Sequence, residues 1–514
     1  MTDTGRYGPL MLRRGFVAGS AAGLAAMALP RSGRAQGAAV LKFGLSAYPP
    51  NMDPFSHSGT AADTVKLQVF RGLLGLDHDG NVVGEVAGKW DQSRQTDFVF
   101  HIRPNATFQN GDPVTAADVQ WSIEQITKPG STAYLLSDLK VISKIEAVDA
   151  KTVRIVLHEP TPSFSRLLAT PYVPVLSAKA GLASPVGAGP YRIARLERGV
   201  SVDFEAFEGY YKEGYPKTKK LQMIVYADEN LRVTALETGD LDIIEYVPWQ
   251  DMARIQKNPA LVLEESFGAV DMDIVFNVKQ PPFGDARVRQ AVAYAIKRED
   301  IVKAAFFGRG KPLYGLPLNE NSIFANAKTE DLWRYDPNKA KSLLKQAGVV
   351  GHKVTMLATS TYAMHQDTAE VVQQYLIAAG LQVALQLPDW GARVALGNKG
   401  QYQFAINGVA PVISDPDGLT TMIGSGPASY QRSFGYSNKK LDALLARGRH
   451  EVDLAKRKLD YEAVAALVKE DVPLCMLTRR SQGYGLKKTV QGFHALPGSD
   501  NGYSGYVLED AFLS

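Results

Sequence analysis

Residues 352–390 place the tightest constraint on what this 514-residue chain can fold into. HKVTMLATS (352–360) and LQVALQLPDW (381–390) read as strands, the second ending at Trp390 beside Pro388 and Asp389. The stretch between them is helical in pattern and stops at Gly380. Strand, helix and strand in that order form a βαβ unit, the module of a parallel sheet covered by helices. The rest of the chain is punctuated in the same way. A helix over 229–239 ends at a glycine and leads into the strand LDIIEYV (241–247). Asp285 opens a helix through Val288, Ala291, Val292 and Ala295, and Asp336-Pro337 opens another that closes at Gly348. Earlier the spacing is shorter. VLKFGLSAY (40–48), DFVFHIRP (97–104) and KTVRIVLHEP (151–160) read as strands. Thr115, with Asp118 three residues on, reads as the N-cap of a helix whose apolar face is Val119, Ile123 and Ile126. The pattern predicts two α/β units with a β-rich insertion early in the chain.

The formal charge of +4 invites a nucleic-acid reading, but most of it lies at the start. Residues 1–35 hold Arg6, Arg13, Arg14, Arg31 and Arg34 against Asp3 alone; taking these from 57 basic and 53 acidic residues leaves 52 of each. The remaining chain is neutral and the nucleic-acid reading falls. The start itself has the order of an export signal: two arginines, a modest apolar run from Phe16 to Leu29, and the small-residue site Gly33-Arg34-Ala35. Arg13-Arg14-Gly15-Phe16 resembles the twin-arginine type, with Leu12 where Ser or Thr is usual. The apolar run is shorter than the roughly 18 residues of a membrane span. Cleavage after Ala35 and a soluble periplasmic protein are expected. The single cysteine, Cys475, lies far from the signal, so neither a cysteine-borne lipid anchor nor an intrachain disulfide is expected.

Signals of catalysis are poor. The eight histidines are scattered, with no HExxH spacing, and there is no GxSxG elbow. GEVAGKW (84–90) is one residue short of a phosphate loop and carries Trp90 where Ser or Thr must hold magnesium, so it reads as a turn. Asp53 and His57 read as a solvated loop pair. In NGVAPVISDPDGL (407–419), Asp415 and Asp417 alone offer too few ligands for a cation. No catalytic group, metal or cofactor is expected. Signals of binding are better: of 22 Tyr, 20 Phe and 5 Trp, several fall in predicted loops, among them Tyr48, Tyr430, Phe434 and Tyr436. Aromatic rings there give a ligand cavity large contact area with few rotatable bonds.

Long stretches taken together resemble one family. VFRGLLGLDHDGNVVGEVAGKW (69–90), FVFHIRPNATFQNGDPVTAADVQWSIEQI (98–126), VGAGPYRI (186–193) and FNVKQPPFGDARVRQAVAYAIKREDIVKAAFFGRGKP (276–312) are similar to periplasmic solute-binding proteins of the dipeptide/oligopeptide/nickel class, family 5. NMDPF (51–55) and YSNKKLDALL (436–445) fit as well. The resemblance implies a type II periplasmic-binding-protein fold: two α/β lobes, a chain that crosses a hinge, and an extra β-rich subdomain on the first lobe. It implies an export signal over 1–35, first-lobe segments at 36–82 and 186–275, the inserted subdomain at 83–185, the second lobe at 276–482, and a return to the first lobe at 483–514. Hinge crossings are expected near 270–280 and 478–488. It further implies a monomeric receptor, not embedded in the membrane, that passes a peptide or peptide-like solute to an ABC permease and its ATPase. A sugar, an opine-like compound or a nickel chelate is the alternative ligand. Nickel-type relatives use a histidine in the second-lobe cleft, and PASYQRSFGYSN (427–438) has none. An exported hydrolase is the remaining reading, without a motif to carry it.

The same resemblance bears on 407–419, where the family runs Gly-Trp-x-x-Asp-Tyr-x-Asp-Pro along the cleft. Asp415-Pro416 matches the closing Asp-Pro; Val409 stands for the Trp, and Val412 for the aspartate that holds a peptide's α-ammonium in peptide binders. The ligand contacts expected are Trp390, Asn407, Val412, Asp415, Asp417, Tyr48 and Tyr430. Asp415 and Asp417 also suit a turn before Gly418. Arg287 and Arg289 are expected on a solvated helix face or in an ion pair.

Overall fold

Two long strands, Leu261–Phe276 and Leu474–Lys487, run antiparallel through the middle of the molecule. At 16 and 14 residues they are two to three times the usual strand length, so each crosses from one lobe into the other. Their register breaks between Ser266 and Val270, where Gly268 takes φ +72°, and again between Met272 and Asp273. A bulge bends its strand and increases the local twist, and these breaks lie at the lobe boundary. The structure, a computed structural model, describes residues 39–318, 322–409 and 411–514. The export signal expected over 1–35 lies outside them.

Around this pair the sheet continues on both sides, to eleven strands among the described residues. On one side Phe404–Val409, Lys353–Leu357 and Gln382–Gln386 follow in order. The last two are parallel neighbours joined by the helix Ala363–Ala379, capped by Gly380 at φ +118°. This is the expected βαβ unit. The second strand stops at Gln386, however, and Trp390 opens a helix, Trp390–Asn398, with Asp389 as its N-cap at 2.9 Å from the Ala392 amide. A strand end was expected there; Pro388 breaks the ladder and Asp389 supplies a cap, so the chain turns into a helix instead. On the other side lie Ile243–Ile244, Val40–Leu45, Lys220–Val225, Ser201–Ala206 and Tyr191–Glu197, with Val40–Leu45 parallel to its neighbours.

The early insertion forms its own four-stranded antiparallel sheet in the order Ala87–Arg94, Asp97–Ile102, Thr152–Leu157, Ile142–Ala147. Ala87–Trp90 is therefore strand, not turn. Thr115 caps the helix Ala116–Thr127 in a reciprocal box with Asp118, whose N–H reaches Thr115 Oγ1 at 3.3 Å. Val119, Ile123 and Ile126 are buried beneath it.

The apolar interior falls mainly into two clusters. One gathers Leu41, Phe43, Val65, Phe98 and Ile155 with Tyr503 to Leu508 at the C-terminus. The other gathers Ile274, Val292, Met356, Ile406 and Leu474, and also takes in Val233 to Ile255. Val412 and Ile413 belong to the first cluster although the strand leading to them belongs to the second. The loop after Val409 thus packs across the cleft.

Candidate functional site

Where the lobes meet, a cavity of about 60 Å³ is enclosed by residues from both. The loop 51–59 and the helix Thr60–Val69 form its first-lobe floor. Asp53 accepts the Phe55 amide at 3.0 Å and so turns the loop, which brings His57 inward. His57 is not solvated, as its spacing from Asp53 led us to expect. Its Nδ1 lies 3.0 Å from Asp63 Oδ2 and 2.5 Å from the Tyr172 hydroxyl, and its Nε2 lies 2.7 Å from Gln431 Nε2 of the second lobe. The ring stacks on Tyr430 at 5.9 Å and packs against Tyr134 at 5.2 Å. Tyr134 in turn donates to Gln431 Oε1 at 2.6 Å. With Gln431 donating to His57 Nε2, the imidazole Nδ1–H is left for Asp63, and one hydrogen-bond chain joins the lobes.

Trp390 makes the second joint. Its Nε1 donates to the Ser58 carbonyl at 3.1 Å, and its ring meets Tyr362, His365 and Tyr430 edge-on. Gly59 lies directly beneath: a Cβ there would stand 3.1 Å from Trp390 Nε1, and its φ of +102° already favours glycine. His365, also on the wall, is held neutral. Burial first, then the nearby Arg393 and Arg480, push its pKa well below the usual histidine range.

A third joint closes one end. Arg449 of the second lobe ion-pairs with Asp417 and with Asp138 of the insertion, each at 2.7 Å, and Ser163 of the insertion donates to Asp417 at 2.6 Å. All four side chains are buried.

Trp390, Val412 and Tyr430 line the cavity; the other four expected contacts stand elsewhere. Asn407 is buried but faces away, accepting from Arg393 at 3.3 Å, because residues alternate along the strand and Gly408 is the one at the cavity. Asp415 is held by both terminal nitrogens of Arg457 and caps the turn through the Asp417 amide at 2.8 Å. It borders a separate, larger cavity of about 270 Å³. Asp417 is spent on Arg449 and Ser163, and Tyr48 packs half-buried against the first-lobe core. Arg287 does pair with Asp285, at 2.6 Å, whereas Arg289 is buried and caps the carbonyls of Phe283, Asp471 and Val472. The residues missed from the sequence are His57, Asp63, Tyr134, Tyr172, His365, Gln431 and Arg480. They lie up to 423 positions apart in the chain, and no local spacing links them. Among the described residues no group of three or more His, Cys, Asp or Glu side chains gathers, and no helix is long and apolar enough to cross a membrane.

Two α/β lobes on a pair of crossing strands, closing on a polar-aromatic cavity, define a solute-binding receptor. Residues 81–431 match the profile of bacterial extracellular solute-binding proteins, family 5. The chain belongs to that family and has its type II periplasmic-binding-protein fold, the receptor component of an ABC importer. The glutathione-binding protein GsiB of Pectobacterium atrosepticum is 30% identical over 466 residues, covering 87% of this chain and 90% of that protein. The structure of the periplasmic binding protein AgaA of Agrobacterium tumefaciens R10 with agropinic acid superimposes with a TM-score of 0.89 at 36% identity, covering 93% and 99% of the two chains. The ABC transporter-associated periplasmic binding protein DppA of Helicobacter pylori with the peptide STSA, at 22% identity and a TM-score of 0.83 over 92% and 98%, shares the fold.

Proposed function

We propose that the protein captures a compact, carboxylate-bearing solute of amino-acid origin, a short peptide such as glutathione or an opine-like compound, as a monomeric periplasmic receptor. The enclosed interlobe cavity carries this reading. At about 60 Å³ it is far below the roughly 300–1,000 Å³ of pockets for drug-sized ligands, so the lobes must part before a solute can enter. The two more similar relatives, at 30% and 36% identity, bear names that give glutathione and agropinic acid as their ligands, both small carboxylates.

The family's second-lobe ammonium anchor is replaced by Val412, and the two aspartates nearest in sequence are already paired with arginines. Ordinary dipeptides held only by that loop should therefore bind weakly. Thermal melting against glutathione, agropinic acid, mannopinic acid and a set of dipeptides tests the proposal. A true ligand at a hundredfold excess over Kd adds about 2.7 kcal/mol of stability. If ordinary dipeptides shift the melting temperature and the three acids do not, the proposed ligand class is wrong.

A further inference from the structure

Two charged side chains on the cavity wall keep hydrogen-bonding capacity that the protein does not use. Arg480 stands mid-strand, 1% exposed, with its guanidinium 5.8 and 5.0 Å from the ring centres of Tyr246 and Trp249. One terminal nitrogen donates to Gln482 at 3.2 Å. Its Nε has no acceptor, and no carboxylate lies within ion-pairing distance among the described residues. Burial lowers its pKa, against the opposing pull of Tyr246 and, more weakly, of Asp271. Asp63, also 1% exposed, sits in the first turn of the helix Thr60–Val69. Its Oδ2 is taken by Tyr172 and His57, but Oδ1 is buried and has no donor among the described residues. Among the described residues lining the cavity it is the one carboxylate.

Buried arginines that serve packing look different here. Arg298 spends its N–H groups on the carbonyls of Met476, Ala293, Ile296 and Trp333, and Arg232 on those of Tyr226, Glu245 and Tyr246. Arg393 and Arg432 also keep open N–H groups, but neither lines the cavity. A buried, uncompensated ion is costly, and it is tolerable where a ligand supplies the missing partner.

We infer that Arg480 holds a carboxylate of the solute and that Asp63 holds its hydrogen-bond-donating head, an ammonium or a hydroxyl. The cation anchor has thus moved from the second-lobe loop at Val412 to the first-lobe helix. This rests on the receptor reading above and specifies the chemistry of that receptor.

Calorimetry on wild type, Arg480→Met and Asp63→Asn, with glutathione, its N-acetyl and ester derivatives, and mannopinic acid, tests it. The acid that binds wild type should lose about 100-fold or more in Arg480→Met, while binding of the ester, already weak, should not change further. Asp63→Asn should weaken glutathione about 100-fold if an ammonium is held, in step with N-acetylation, and mannopinic acid about tenfold if hydroxyls are held. Equal loss of acid and ester in Arg480→Met would reduce that residue to packing and overturn the assignment. So would a sharp fall in the melting temperature of unliganded Arg480→Met, which should match or exceed wild type once the uncompensated charge is gone. Native mass spectrometry of protein from its own periplasm separates the two layers. A bound solute without a carboxylate leaves the receptor standing and refutes Arg480. Complete absence of bound solute, with no melting shift by any probe, refutes both.

Discussion

Asp273 lies in the long strand Leu261–Phe276 with neither carboxylate oxygen bonded, and burial pushes its pKa up to about 8 against the pull of Arg393 and Asn407. An unfolded aspartate titrates near 3.9. Between those values the folded chain keeps a proton that the unfolded chain releases, so stability is fully present below about pH 4 and declines as pH rises toward 8. Asp273→Asn should flatten that decline. Denaturant unfolding of both proteins at pH 5, 7 and 9 reads it directly, and equal slopes would show that the carboxylate is ionised in the fold. Trp390 is the second residue to test. Replacing it with alanine in a packed wall costs about 3–5 kcal/mol of stability and confuses binding with folding. Trp390→Phe keeps most of the packing and removes only the donor to Ser58 across the cleft. Affinity for the true ligand should fall about fivefold, the worth of roughly 1 kcal/mol, with little change in the melting of unliganded protein. A large melting drop with unchanged affinity would make the indole a packing element. Cys475 is fully buried, and burial pushes its thiol up to about 11, so thiol reagents should leave the native protein unmodified.

At the scale of elements, the joint between the insertion and the second lobe is the ion bridge Asp138–Arg449–Asp417. Burial raises the Asp138 pKa, Arg449 opposes it, and Asp417 adds to the rise. Parting of the lobes would return Asp138 and Arg449 to water, so the bridge is expected to act on closure more than on the stability of either lobe. Asp138→Asn leaves Arg449 paired with Asp417 and should weaken ligand binding about tenfold, or 1.4 kcal/mol. The far-ultraviolet spectrum should not change. If affinity holds while the melting temperature drops, the bridge belongs to folding rather than to closure. The helix Ala116–Thr127 gives a contrasting case, because its cap is local. Thr115→Ala removes the Thr115 hydroxyl half of the box, leaves the backbone N–H of residue 115 on Asp118, and should cost about 1 kcal/mol without touching affinity.

At the scale of the molecule, the crossing strands are where closure is expected to flex. Their register breaks at Ser266–Val270, beside Gln482 and Arg480, so the flexure and the proposed carboxylate site share one stretch of backbone. Ligand should compact the protein in small-angle scattering, and an unchanged radius of gyration on saturation would mean that the lobes do not move. Export is tested separately. Arg13→Lys with Arg14→Lys should strand the precursor in the cytoplasm, and normal periplasmic yield of that double variant would rule out the twin-arginine route.

Local order determined what could be read from the sequence. The βαβ unit at 353–386, the Thr115–Asp118 box and the glycine stops at 239 and 380 are made by residues within a few positions of each other, where backbone preference and capping decide the outcome. The family resemblance rests on the same stretches, and through it the two-lobed fold was legible. Trp390, Val412 and Tyr430 line the cavity; the resemblance placed Val412 on the cleft loop, and Trp390 and Tyr430 read as aromatics at a strand end and in a loop. Tertiary structure alone decided the charges. Asp415 and Asp417 look available in the sequence, but Arg457 and Arg449 reach them from 42 and 32 positions away. His57 reads as solvated beside Asp53 in the sequence, yet its partners are Asp63, Tyr172 and a glutamine 374 positions on. Whether a charged group is spent or open depends on which distant element packs over it, and chain order does not encode that. The same physics leaves Arg480 and Asp63 with unused bonds, on a cavity that exists only where the two lobes meet.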